Sequence, residues 1–438
     1  MVPPRGRSAF ALLVLLAAAP ATTARPQVMD PALAATGVVP PIDLSRFGRP
    51  ALSSAEITAA LNRGLKYRDR PSFGSGVDWL GGDDFVGVTD RGPNSDDPKV
   101  VGHEDGLLFP LPQFVPSLVQ FRWRSGRITV SAVMPVHRRG GRGATGLPSL
   151  KSDGVAYDRP RATDSLPPDP SGLDIEGVRR LPDGRFLLVD EYAPSLLVTS
   201  PTGEVLKRYL PLSRAAMQQA FPADAQVPEI FAKRRQNRGF ESVALSRDGR
   251  RAWTILEGPL GPRDDPEYAA SRMVRVLEWN VGDPLAARPV AQYLLPLTAL
   301  AETPTARRQD EIRISDAAWL SDSTLLVVER APRRVRLRLA DFASATNLLG
   351  RPEALTLAID AASAPLSKLG ITPVAMTPVF DSRDLPAFDE DNIEGLAVIS
   401  DREVVVSDDN DFGIGDNLIG ARARLFRLRW PAPLPRPR

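Results

Sequence analysis

Carboxylates recur in this chain beside glycine and at the ends of short apolar runs, where hairpin geometry would gather them. Asp174 and Glu176 precede the run 178–181, a Pro182-Asp183-Gly184 turn and the apolar run 186–189, which ends at Asp190-Glu191. Pro presets φ and Gly accepts the positive φ of a tight turn, so residues 171–192 predict one β-hairpin. Folding about Asp183 and Gly184 sets Glu176 opposite Asp190 and Glu191, and opposed residues of an antiparallel pair sit about 5 Å apart. Two like charges at about 4 Å repel by about 4 kcal/mol at an effective dielectric of ~20. Such a group must protonate, pair with arginine, or hold a cation. An all-oxygen donor set points to Ca²⁺, which takes about 6–8 oxygens at roughly 2.3–2.6 Å.

The pattern returns. Phe240-Glu241-Ser242 leads through Arg247-Asp248-Gly249 to Glu257-Gly258, and Ser315-Asp316 leads through Ser321-Asp322-Ser323 to Glu329-Arg330. Asn392-Ile393-Glu394-Gly395 leads through Ser400-Asp401-Arg402 to Asp408-Asp409-Asn410, and a weaker copy runs from Asp78 to Asp90-Arg91. The expected ligands are Asp174, Glu176, Asp190, Glu191, Glu241, Glu257, Glu394, Asp408 and Asp409, with amide oxygens from Asn237, Asn392 and Asn410. The competing reading neutralises these acids with Arg91, Arg238, Arg330 or Arg402. A simpler one has Asp and Glu beside Gly merely ending strands.

Positioning so many acids at one place requires a repeat architecture. Hairpins that radiate from an axis start their inner strands at one face, so a β-propeller would bring the acids to one mouth of its channel. The expected fold is therefore all-β, a propeller of five or six blades with short helical insertions. Six is the favoured count, the extra blade coming from residues 151–157 with a strand near Ile42. The first blade should run from Phe73 to about Val136. Ser53-Ser54-Ala55-Glu56 is a capping box before a short helix at 57–65. Residues 211–223 and 354–369 read as helical insertions, and the Gly/Pro/Arg-rich residues 138–170 as a flap over the site.

Four motifs carry a family resemblance: Asp174-Ile175-Glu176-Gly177-Val178, Gly239-Phe240-Glu241-Ser242-Val243, Asn392-Ile393-Glu394-Gly395-Leu396 and Thr89-Asp90-Arg91-Gly92-Pro93. They resemble the phytase-like, or "esterase-like activity of phytase", family of exported bacterial proteins, from about Pro71 to Trp430. The resemblance implies a propeller hydrolase of a phosphate ester, carboxylic ester or lactone. In that scheme Glu176, Glu191, Glu394, Arg91 and His103 serve catalysis beside Ca²⁺. Asp90, Arg91, Asn94, Asn392 and Asn410 hold a small-molecule ester. The chain departs from known phytases in lacking an Arg-His-Gly signature. The phosphate-site motifs of calcium-dependent propeller phytases find no match either. A non-catalytic propeller that binds a small ligand or an envelope partner is the alternative.

Composition prunes the rest. The 438 residues include no Cys, 2 His and 43 Pro, which excludes thiolate chemistry and favours turns over long helices. His137, among arginines, reads as a surface residue. No Gly-x-Ser-x-Gly elbow or Walker motif occurs. Arg5 and Arg7 before an apolar run at 9–19 read as a cleaved export leader over residues 1–24, too short to span a bilayer. Its removal leaves 53 Lys+Arg against 53 Asp+Glu, a neutral chain with no electrostatic case for nucleic acid or anionic membrane. The expected organisation is a leader at 1–24, an extended segment at 25–70, the propeller at 71–430 and a Pro-rich tail at 431–438. The expected product is a periplasmic or secreted monomer with no stable membrane insertion.

Overall fold

The computed structural model describes Met1 and residues 30–390, 392–414 and 421–435. Nearly all of the leader expected at 1–24 lies outside them.

The described residues form an all-β chain whose sheets resolve into antiparallel quartets. The first unit comprises Gly76–Gly81, Asp84–Val88, Ser117–Arg124 and Arg127–Pro135. The second comprises Ile175–Arg180, Phe186–Asp190, Ser195–Thr199 and Val205–Pro211, with Ala223–Val227 added in parallel at its edge. The third holds Phe240–Leu245, Arg251–Leu256, Met273–Asn280 and Arg288–Pro296, and the fourth Arg313–Ser321, Thr324–Ala331, Arg334–Asp341 and Ala375–Asp381. The fifth is Ile393–Ser400, Glu403–Asp408 and Arg424–Arg429, completed by Ala32–Val38 from the other end of the chain. The first and fifth units join into one eight-stranded sheet through the single parallel pair Val38↔Arg127.

The first strand of each unit packs against the first strands of two others, and these contacts close a ring. Apolar layers fill the gaps between neighbouring units. Val86, Val88 and Leu118 of the first unit cluster with Val178, Leu188 and Leu197 of the second. Leu326, Val328 and Leu337 of the fourth cluster with Leu396, Val404 and Phe426 of the fifth. Each sheet thus buries both faces, which is why runs such as Phe186 to Val189 are continuously apolar instead of alternating.

Several expectations change. No sixth quartet occurs among the described residues. Val155–Tyr157 pairs in parallel with Gly106–Leu108 in a separate two-stranded sheet, and the N-terminal strand completes the fifth unit. The segment expected to be merely extended is therefore part of the sheet system. The capping box is present, with Ser53 as N-cap and Glu56 reaching back, but its helix is Ser54–Asn62. The insertions expected to be helical hold only Leu212–Ala215 and a 3₁₀ turn at Pro352–Leu355. The Pro- and Gly-rich loop at 138–170 is tied down: Tyr192 Oη donates to the Gly146 carbonyl at 3.0 Å, and Asp153 accepts from Arg234 at 2.6 Å.

Candidate functional site

A one-residue slip builds the site. In the inner strands of the second to fifth units, pairing skips between Ile175 and Gly177, Phe240 and Ser242, Ile314 and Asp316, and Ile393 and Gly395. The skipped residues are Glu176, Glu241, Ser315 and Glu394. A bulge of this kind bends the strand and re-aims its side chain, a device common beside active sites. The pre-bulge residues pair with Asp190, Leu256, Glu329 and Asp408, and successive side chains of a strand point to opposite sides. It is therefore the next residue in each unit, Glu191, Glu257, Arg330 and Asp409, that faces the mouth with the three bulged glutamates. The units interlock closely here: a Cβ on Gly239 would sit 1.9 Å from the Glu191 carbonyl oxygen, so only glycine fits.

The resulting cavity is about 360 Å³ and is lined by ten carboxylates and three arginines, Arg91, Arg313 and Arg330. One carboxylate oxygen from each of Asp174, Glu176 and Glu191 lies within 4.8 Å of the others, and the same holds for Glu191, Glu241 and Glu257. Glu191 belongs to both groups, and its buried Oε1 has no hydrogen-bond partner. Burial first, then Glu257 and Asp174, push the Glu191 carboxyl up to about 8. Burial also holds Glu176 well above the usual range, reinforced by Asp174, Glu241, Glu394 and Glu191. Glu257 behaves in the opposite way. Burial opposes its charge, but Arg238, Arg313 and Arg330 outweigh that and hold it below the usual value.

The fourth unit departs from the others. Glu329 turns into its own sheet and pairs with Arg336 at 3.2 Å and Arg338 at 2.6 Å, so this unit offers the mouth Arg313 and Arg330. Arg330 contacts Glu394 at 2.6 Å and Glu257 at 3.6 Å. Asp316 lies deeper, at the ring position held by Gly76, Gly177, Ser242 and Gly395 in the other units. It accepts from Arg179 at 3.1 Å and from the Leu396 amide at 2.7 Å. Arg179 also donates to the carbonyls of Val77, Val178, Ala317 and Leu396, tying four units across the axis. Burial pushes Asp316 up to about 7 in spite of Arg179.

The structure brings Asp90, Arg91, Asn94, Glu176, Glu191, Asn237, Glu241, Glu257, Asn392, Glu394 and Asp409 to one cavity. Asp174 stands just behind, accepting from Arg91 Nη1 at 2.9 Å. Other expected residues are elsewhere. Asp190 is fully buried inside the second unit, bonded to Arg208 at 2.8 Å and to Ser195, because it occupies the alternate side of the strand. Asp408 is turned the same way in the fifth unit, toward Arg424. Asn410 donates to the Ala421 carbonyl and does not line the cavity. His103 does not line it either: its ring stacks on Tyr157 at 4.3 Å, and Nε2 lies 2.8 Å from the Ala162 carbonyl oxygen. His137 is buried, not on the surface. Arg402 reaches the Pro431 carbonyl at the hairpin-turn end. Arg313, Asp411, Asp96 and Asp97 line the cavity unforeseen. Arg313 sits two residues before the bulge, as Asp174 does in the second unit, and Asp411 lies two residues after Asp409, so the repeat register held both signals.

A family model described as "Phytase-like: Esterase-like activity of phytase" matches residues 73–412. An "Uncharacterized secreted protein" of Arthroderma benhamiae is 28% identical over 125 residues, which are 25% of this chain and 24% of that one. The chain thus aligns with about a quarter of that relative's length. Among solved structures, a luciferin-regenerating enzyme is 9% identical with a TM-score of 0.34, covering 83% of this chain and 93% of that chain. An aldose sugar dehydrogenase from Streptomyces coelicolor in its PQQ-bound form is 12% identical with a TM-score of 0.30, covering 79% and 75%. Scores this low transfer nothing to this chain. Among the described residues no helix is long and apolar enough to cross a membrane.

Proposed function

The chain belongs to the phytase-like (esterase-like activity of phytase) family, and from that premise we propose that it is an exported hydrolase of a phosphate ester, carboxylic ester or lactone. In this reading the quartets are the blades of a five-bladed propeller, and its acidic mouth takes a hard divalent cation of the calcium class. The observation that carries the cation is the Glu191 carboxyl, shared by two acid groups within 4.8 Å, with a buried oxygen that has no partner. The donor set is all oxygen, as Ca²⁺ requires. Asp174, Glu176 and Glu191 would hold the ion, with Glu241 beside them.

When bound, such an ion supplies Lewis-acid polarisation of the scissile ester's oxygen. The chain's own residues do the rest. Arg91 donates to Asp174 and to Asn237, fixing both at the rim. Glu191, pushed up to about 8 without an ion, would give up its proton when the cation binds, so uptake of the ion would be coupled to pH. Asn392 accepts from Arg330 and donates to the Asp409 carbonyl at 2.8 Å, orienting that arginine. A cavity of about 360 Å³ suits a small molecule.

Melting curves in calcium and in chelator, run alongside a panel of chromogenic phosphate, acetate and lactone substrates, test this reading. Calcium-dependent stabilisation and turnover of at least one ester support it. Identical curves in both buffers refute the cation. A calcium shift with no turnover on any ester makes the chain a binding propeller.

A further inference from the structure

The mouth is electrically lopsided. Its three nearest guanidiniums gather on one carboxylate, Glu257, which itself lies within 4.8 Å of Glu191 and Glu241. Arg313 Nη1 donates to Glu257 at 2.9 Å, Arg238 Nη1 lies 2.6 Å from it and Arg330 Nη2 lies 3.6 Å from it. Three guanidiniums thus share Glu257, and Arg330 also reaches Glu394 at 2.6 Å and Glu241 at 4.0 Å. Arg313 is the least committed. It makes one side-chain hydrogen bond, its buried Nε has no acceptor, and it is 31% exposed as it lines the cavity. The Arg330 Nε is also buried without an acceptor. Both arginines line the cavity, and a planar guanidinium matches the paired oxygens of carboxylate or phosphate.

We propose that Arg313 and Arg330, braced by Glu257, form an oxyanion subsite that receives a phosphate or carboxylate group of the substrate, beside the acids around Glu191. The site therefore selects anionic over neutral esters. Glu257 contacts both guanidiniums, so the subsite exists before the ligand arrives. The word substrate rests on the hydrolase reading above; the subsite itself does not.

The test uses two probes with no ester bond, phenylphosphonate and benzoate, titrated calorimetrically against the full chain in chelator and again in calcium. Comparison of the two probes tells a phosphate-selective from a carboxylate-selective subsite. Arg313→Gln should weaken the better probe by on the order of tenfold or more, the loss expected for a charged hydrogen bond, and Arg313→Lys by less. Arg247→Ser removes an exposed positive charge at the turn end of the hairpins, away from the mouth, and should leave probe binding unchanged. A melting curve for each variant without probe shows that it folds. Equal affinity for wild type and Arg313→Gln, or no binding of either probe in either buffer, overturns the subsite. A wild-type chain that shows no calcium shift but binds a probe overturns the cation reading and leaves the subsite standing.

Discussion

The same ring of inner strands makes both ends of the central channel, yet the two ends share almost no chemistry. At one end the strands bulge, and glutamates swing into a cavity of about 360 Å³. At the other the strands run into tight turns, and the cavity of about 730 Å³ there is lined by Trp79, Leu181, Leu245, Trp319, Leu320 and Ile399, with Arg180, Arg247 and Asp401 among its polar residues. The wider end is the greasier one, and its arginines Arg180 and Arg247 are exposed, where pairing is worth little. The narrower end holds charges out of water, where each must find a partner or a proton. Chemistry follows desolvation here, not volume. The Arg179–Asp316 pair stands between the two ends and separates them.

The comparison breaks most severely at that separator. Asp316→Ala leaves Arg179 buried without its carboxylate and should cost about 3–5 kcal/mol of unfolding free energy in a urea titration. A loss under about 1 kcal/mol would mean that the pair does not hold the units together. Next comes the cation. Glu176→Gln should abolish the calcium-induced stabilisation, which for wild type amounts to about 2.7 kcal/mol at a hundredfold excess over Kd. Denaturation with and without calcium reads it directly, and a shift retained in the variant would place the ion elsewhere.

A third effect sharpens the contrast through pH. The folded Glu191 carboxyl sits at about 8, against 4.5 for the ordinary group, so in this interval the folded state binds the extra proton. Its stability contribution is fully present below about 4.5 and is lost as pH rises through about 8. Melting temperature in chelator should therefore fall across that window, and Glu191→Gln should flatten the fall. A melting temperature that rises over the same range would contradict the burial of this carboxyl. The smallest effect belongs to the turn end. Arg247→Ser, at an exposed position, should change stability by no more than about 0.5 kcal/mol and leave the calcium shift intact. A larger loss of either would show that the two ends are coupled.

Which strand ends carry acids is legible in the sequence, because turn chemistry and apolar runs set each hairpin's register within a residue or two. Which of two adjacent acids turns inward is not. Asp190 and Glu191, or Asp408 and Asp409, are equivalent by composition, and a bulge that no residue type announces decides between them. The fourth unit shows the same limit. Glu329 reads as a mouth acid, but it occupies the Asp190 position and pairs within its sheet, while Arg330 takes the mouth. His103 was chosen by residue type alone, and stacking on Tyr157 removed it. The strand that completes the fifth unit lies far from it in sequence, so the repeats do not announce it.

That last strand has a consequence in time. Ala32 pairs with Arg429 and Val38 with Arg424, so the bonds that seal the ring join residues almost 400 positions apart. A chain synthesised from its N-terminus finishes the sealing strand first and its partner last. Until then Ala32–Val38 has no backbone partner in the fifth unit, and an unpaired strand edge is a template for the wrong neighbour. Pairings of such long sequence separation form slowly, because the entropy of closing the loop must be met before they return any energy. The seal is thus the latest event of folding, and a chain shortened by its final strand stays an open ring.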